Sequence, residues 1–136
     1  MPVQWSPALS VGVQLIDKQH QELIQRLNML LEAMSKGKGK DEVQKIVAFL
    51  GEYVGTHFEA EEGLMREHQY SGYASHKIQH TRFIQMYDEI KRKIDLEGVS
   101  PMLTVTLQRQ LGDWLVNHIG KVDQVLGAFL QARLGR

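Results

Sequence analysis

Prolines occur only at Pro2, Pro7 and Pro101. From Asp17 to Ser100 the chain therefore has no residue that locks φ and removes a backbone donor, so nothing there forbids long helices and punctuation must come from glycine. Ser35-Lys36-Gly37-Lys38-Gly39-Lys40 reads as a flexible loop and Gln69-Tyr70-Ser71-Gly72 as a short turn. Glu97-Gly98-Val99-Ser100-Pro101 places a glycine stop before a serine N-cap and a proline at the first helical position. Four segments remain, roughly 17–36, 41–68, 73–96 and 101–132.

Each segment carries an apolar stripe at helical rather than strand spacing. The first runs Leu23, Ile24, Leu27, Leu30/Leu31, Met34. The second runs Val43, Ile46/Val47, Leu50, Val54, then Leu64/Met65. The third is Tyr73, Phe83, Tyr87, Ile90, Ile94, and the fourth Leu103, Leu107, Leu111, Trp114/Leu115. Four amphipathic helices joined by short connections predict an all-α fold, an up-down-up-down antiparallel four-helix bundle. Residues 1–16 read as an irregular N-terminal arm, with Trp5 as an apolar anchor on the bundle. The 136 residues are enough for one buried core, so residues 1–136 are expected to form a single domain.

Sixteen basic residues balance sixteen acidic ones, which removes the electrostatic footprint of a nucleic-acid-binding protein. With no cysteine, thiolate sites are excluded and any metal must sit on nitrogen and oxygen. The N-terminal stretch has no basic residue before Lys18 and no long apolar run, so no membrane span is expected and a cytoplasmic location is. The outer helix faces read as polar, and a monomer is expected.

The informative residues are polar ones that fall on the core-facing stripes. His20 precedes Ile24 and Leu27 by four and seven residues. His57 and Glu61 continue the second stripe, His76 and His80 fill the third between Tyr73 and Phe83, and His118 follows Trp114 by four. Burying an imidazole or carboxylate costs on the order of several kcal/mol unless it is paired or bound to a cation. Any one of these histidines alone reads as a hydrogen-bonded core residue, but five of the six together ask for a metal. Topology agrees. The start of the first helix, the end of the second, the start of the third and the later part of the fourth share one end of an antiparallel bundle.

Spacing refines the set. Residues four apart on an α-helix differ in direction by about 40°, so His57/Glu61 and His76/His80 can each serve one site. Asp123 lies five residues after His118, a net rotation of about 140°. Both face inward only if the helix widens or breaks between them, so a distortion near 118–123 is expected.

Taken together, His20, His57-Phe-Glu-Ala-Glu61, His76-Lys-Ile-Gln-His80 and His118-Ile-Gly-Lys-Val-Asp123 resemble the metal-binding set of the haemerythrins, in the bacterial branch of that family. Ile16-Asp-Lys-Gln-His20, Glu61-Glu-Gly-Leu-Met65 and Trp114-Leu-Val-Asn-His-Ile119 also resemble it, so the likeness spans nearly the whole chain. It departs mainly at Ser71, where proline often follows the tyrosine, and at Val122 and Gln124. None of these removes a ligand. The resemblance implies that His76, His80 and His118 hold one iron and His20 and His57 the other. Glu61 and Asp123 would bridge the two irons, together with an oxo or hydroxo group. On that count the second iron has five ligands and an open position, where O2 binds reversibly. The roles it implies are transport, storage, sensing, or delivery to an oxygen-consuming partner protein, rather than an enzyme's.

Ile24, Leu27, Tyr53, Ile84, Trp114 and Ile119 lie within a turn of these ligands and are expected to line a dry pocket. His68 stands apart and reads as a surface residue. Two other metal classes fit less well. Ferritin-like enzymes use Glu-x-x-His pairs, and no histidine here has a glutamate three residues before it. HExxH is absent, and seven converging donors exceed the four of a structural zinc. Activity towards peroxide or nitric oxide remains the alternative reading.

Overall fold

A computed structural model describes residues 3–134. Three unbroken helices, α1 (Gln14–Ser35), α2 (Lys40–Glu67) and α3 (Tyr73–Glu97), precede a fourth rod of mixed geometry. That rod is α4 (Pro101–Leu107), a π-helical turn (Gln108–Asp113), α5 (Trp114–Asn117), a second π-helical turn (His118–Val122) and α6 (Asp123–Arg133). The bundle is the antiparallel up-down-up-down arrangement read from the stripes, with α1 packing on α2 and α4, and α2 on α3.

The helix ends have identifiable causes. Ser100 Oγ accepts the Leu103 N–H at 3.0 Å, with Pro101 at the first helical position. Gly98 ends α3 at φ +80°, a conformation that a Cβ would oppose. The first helix begins at Gln14, three residues before the sequence estimate, because Asp17 folds back on the arm. Its carboxylate accepts the Ser10 hydroxyl and, at 2.8 Å, the Val11 N–H. The arm is accordingly more ordered than expected, with a 3-10 turn at Pro7–Leu9. Its first two residues lie outside the described part.

The fourth rod explains itself through its stripe. Leu103, Leu107, Leu111, Leu115, Ile119 and Asp123 are all buried and recur every four residues. On a 3.6-residue helix each such step drifts by about 40°, so five steps would rotate the stripe roughly 200° away from the core. Each π turn takes up one extra residue, about 100°, and two of them cancel the drift. The expected distortion at 118–123 is therefore present, together with a second one at 108–113 that the sequence reading did not include.

Apolar burial divides into two clusters. The larger holds Leu23 to Met34 of α1, Val43 to Phe58 of α2, Phe83 to Ile94 of α3 and Leu103 to Ile119 of the fourth rod, with Trp5 packed against it. The smaller, at the other end, joins Val11, Val13, Ile16, Met65, Leu126 and Leu130. The arm closes this end. Gln124 and Gln131 donate their side-chain N–H groups to the carbonyls of Ser10 (2.7 Å) and Val11 (3.1 Å). Val11 sits directly on Gly127, where an added Cβ would come within 2.2 Å of the Val11 carbonyl oxygen.

The outer surface is less uniformly polar than the sequence suggests. Leu96, Met102 and Val105 are exposed around the α3–α4 connection, beside a groove of about 520 Å³ lined in part by Met34, Val99 and Pro101. No helix among the described residues is long and apolar enough to cross a membrane.

Candidate metal centre

Between the two apolar clusters lies a single polar layer. His20, His57, Glu61, His76, His80, His118 and Asp123 are all buried, none more than 4% exposed. All seven residues singled out in the sequence therefore come together. Their donor atoms form two groups, each within 4.8 Å: Glu61, His76, His80, His118 and Asp123 in one, His20, His57, Glu61 and Asp123 in the other. A first-row metal ion with nitrogen and oxygen donors at about 2.0–2.2 Å spaces those donors by roughly 3–4.4 Å. Both groups have that scale.

The two carboxylates belong to both groups, and their oxygens divide between them. Glu61 Oε1 lies 3.2 Å from His76 Nε2 and 3.1 Å from His80 Nε2, while its Oε2 lies 3.4 Å from His20 Nε2 and 3.3 Å from His57 Nε2. Asp123 Oδ1 is 3.0 Å from His76 Nε2 and 3.2 Å from His118 Nε2, and its Oδ2 is 3.0 Å from His20 Nε2. These distances are short, yet among the described residues both carboxylates and the Nε2 atoms of His20, His76, His80 and His118 have no hydrogen-bond partner. Buried polar atoms are rarely left so. Cations inside the layer would satisfy them, so this donor set fits a metal pair.

Burial opposes charge on the His20 imidazole, but Asp123 and Glu61 outweigh it and raise His20 to about 9. His76 rises to about 9 by the same balance. Burial acts against both carboxylates too, yet the surrounding imidazoles hold Glu61 and Asp123 well below the usual carboxylate range. His118, for which burial dominates, is lowered. The layer is thus built around two carboxylates held ionised by the positive charge beside them, a place that a bound cation can take in the stead of imidazole protons.

Three residues absent from the sequence reading orient the imidazoles. Gln19 Oε1 lies 2.8 Å from His57 Nδ1, Glu62 Oε2 lies 2.9 Å from His80 Nδ1, and Gln79 Oε1 lies 2.9 Å from His118 Nδ1. With these oxygens as acceptors, each Nδ1 carries the proton and each Nε2 presents its lone pair to the centre. Each acceptor adjoins a donor of the cluster in sequence but serves a histidine one helix further on: α1 to α2, α2 to α3, α3 to the fourth rod. That adjacency was the only available signal, and it does not say which imidazole is served.

Aromatic rings wall one side. Phe58 stacks on His80 with centroids 3.8 Å apart, Trp114 on His118 at 4.4 Å, and Phe83 fills the space against both rings. Of the expected dry lining, Ile24, Leu27 and Ile119 are buried, and Trp114 and Tyr53 partly so. Ile84 is a correction: it is 39% exposed on the outer side of α3, because its neighbour Phe83 takes the inward position. His68 forms the C-cap of α2, outside the cluster.

Fold and site together define a helical bundle protein organised around a buried histidine–carboxylate centre suited to metal ions. Residues 11–130 match the family described as Hemerythrin HHE cation binding domain. The chain is 31% identical over 129 residues to Bacteriohemerythrin of Methylococcus capsulatus, covering 94% of this chain and 96% of that one. It is 27% identical over 122 residues to Myohemerythrin of Sipunculus nudus, covering 90% and 88%. A crystal structure of wild-type hemerythrin superposes with a TM-score of 0.81 at 30% identity, covering 92% of this chain and 95% of that one. The chain belongs to the haemerythrin family.

Proposed function

We propose that this chain is a non-haem di-iron protein that binds O2 reversibly. His76, His80 and His118 hold one iron, His20 and His57 the other, and Glu61 and Asp123 bridge them, with an oxo or hydroxo group completing the pair. The observation that carries this reading is the division of both carboxylates, one oxygen of each towards each set of histidines. Two ferrous ions, when bound, supply the two electrons that O2 takes up on binding and returns on release.

The chain's own residues make that exchange reversible in three ways. Five imidazoles, neutral once they ligate a metal, against two carboxylates would limit the negative charge on the metals, and low donor charge disfavours oxidation beyond the ferric state. Gln19, Glu62 and Gln79 hold three rings in a fixed orientation, so little reorganises when the metal charge changes. Phe58, Trp114 and the buried aliphatic residues on one side, and the arm-closed cluster on the other, keep water away from the centre. The same features support a binding role rather than an enzymatic one. Carrier, store, sensor and delivery to an oxygen-consuming partner share this site and differ in what the protein meets.

The test is to load the full chain with ferrous iron without oxygen, admit air, follow the visible spectrum and iron content, and then remove the oxygen. Two irons per chain and an absorption band that fades on deoxygenation are expected. Irreversible oxidation with turnover of a substrate, or retention of a single zinc in preference to iron, would overturn the reading.

A further inference from the structure

The hydrogen bonds that orient the imidazoles are not equivalent in charge. His80 Nδ1 faces the Glu62 carboxylate, whereas His118 and His57 face the neutral amides of Gln79 and Gln19. Among the described residues, His20 Nδ1 and His76 Nδ1 have no hydrogen-bond partner. The anionic acceptor therefore acts on the three-histidine half alone, and the two-histidine half receives a single amide. Glu62 is itself buried, and its contact with His80 lies beside the Phe58 ring stacked on His80. In such a low-dielectric setting a charge-assisted hydrogen bond shifts electron density into the ring more strongly than an amide does.

We propose that Glu62 is a positioning residue that makes His80 the most electron-donating imidazole of the centre, so that the His76–His80–His118 half binds metal more tightly and fills first. This rests on the two-metal reading of the seven-residue layer. Acceptors of this kind typically change metal affinity by about 10–100-fold when altered. Glu62→Gln retains an acceptor but loses the charge, and is expected to weaken the tighter site about tenfold while leaving the weaker one unchanged. Gln19→Glu adds a charged acceptor on the other half and is expected to tighten the weaker site, bringing the two affinities together from the opposite direction.

Zinc(II), a diamagnetic probe, is titrated into the full chain against a competing chelator while the imidazole ¹⁵N resonances are followed. In the wild type, the Nε2 signals of His76, His80 and His118 should shift during the first equivalent and those of His20 and His57 during the second. In the metal-free chain, the His80 Nδ1–H signal should be altered by Glu62→Gln, and the His57 signal by Gln19→Glu. A merely structural role for Glu62 would lower both affinities together and leave Gln19→Glu without effect, which overturns the proposal. Simultaneous filling in the wild type, or the two-histidine half filling first, overturns it as well. Failure of the wild type to take up two ions would instead count against the two-metal reading. Should Glu62→Gln not fold, Gln19→Glu and the wild-type filling order decide.

Discussion

Deleting Lys121 tests why the fourth rod is shaped as it is. His118 and Asp123 are five residues apart across a π turn. On a regular helix they would diverge by about 140°, and for side-chain atoms roughly 5–6 Å from the axis the extra 100° moves the carboxylate about 8 Å from the layer. Removing the exposed Lys121 leaves a spacing of four, which a plain α-helix holds at about 40°. His118, Asp123, Leu126 and Leu130 then keep their places without the π turn. The variant is expected to retain two metals per chain and to melt within a few degrees of the parent. Deleting Gln124, three residues further on, removes a residue where there is no widened turn to absorb the loss. Either Leu126 and Leu130, both fully buried, leave the core, or Asp123 leaves the layer. The first costs about 2–5 kcal/mol per leucine, and the second removes the carboxylate proposed to bridge the metals. Metal content and thermal melting of the two deletions decide the matter. Loss of metal in the Lys121 deletion together with full retention in the Gln124 deletion would refute the reasoning.

Other consequences follow from the same geometry. Glu61→Ala combined with Asp123→Ala removes both carboxylates that the proposal makes bridges, and metal analysis should find fewer than two irons per chain. Stripping the metals from the parent leaves the buried donors unpartnered, so its melting temperature should fall, by the equivalent of about 4 kcal/mol where free metal stands at a thousand times its dissociation constant. Gly127→Ala forces the arm away from α6, since the new Cβ would meet the Val11 carbonyl at 2.2 Å. Overpacking of this kind costs about 1–3 kcal/mol, and amide exchange should accelerate at Val11 and Val13 before it does in the main core. Tyr87 donates its hydroxyl to the Val47 carbonyl at 2.7 Å. Burial, helped by Asp88, pushes its phenol up from an ordinary value near 10 to about 12. A raised folded value means this contribution is complete below pH 10 and is lost as pH rises from 10 to 12. Because the ring is partly exposed, about 1 kcal/mol is expected after allowing for solvent screening. Stability measured across pH 9–12 should show this loss in the parent and not in Tyr87→Phe.

The helices and the buried polar residues of the layer were legible because both depend on periodicity along one segment at a time. An apolar stripe names the buried face of its helix, and a histidine or carboxylate on that stripe is conspicuous because burying it alone is costly. The five-residue step from His118 to Asp123 revealed the second π turn for the same reason. The first was equally present in the four-residue recurrence from Leu103 to Ile119, a drift that shows only when the whole stripe is followed. Ile84 was misplaced because neighbouring residues on a helix cannot both face the core, and local sequence does not say that Phe83 prevails.

By itself, then, the sequence determined which segments coil, which faces they bury and which seven side chains stand on those faces, since each follows from the 3.6-residue period and the cost of burying a polar group. Only the tertiary structure decided that each carboxylate turns one oxygen to each half of the layer and that the arm closes over Gly127. It alone decided, too, that Gln19, Glu62 and Gln79 each reach the histidine of the next helix. Those features depend on distances between helices, across residues from 15 to more than 100 positions apart in the chain, which are set by how four helices pack together and which no single helix encodes.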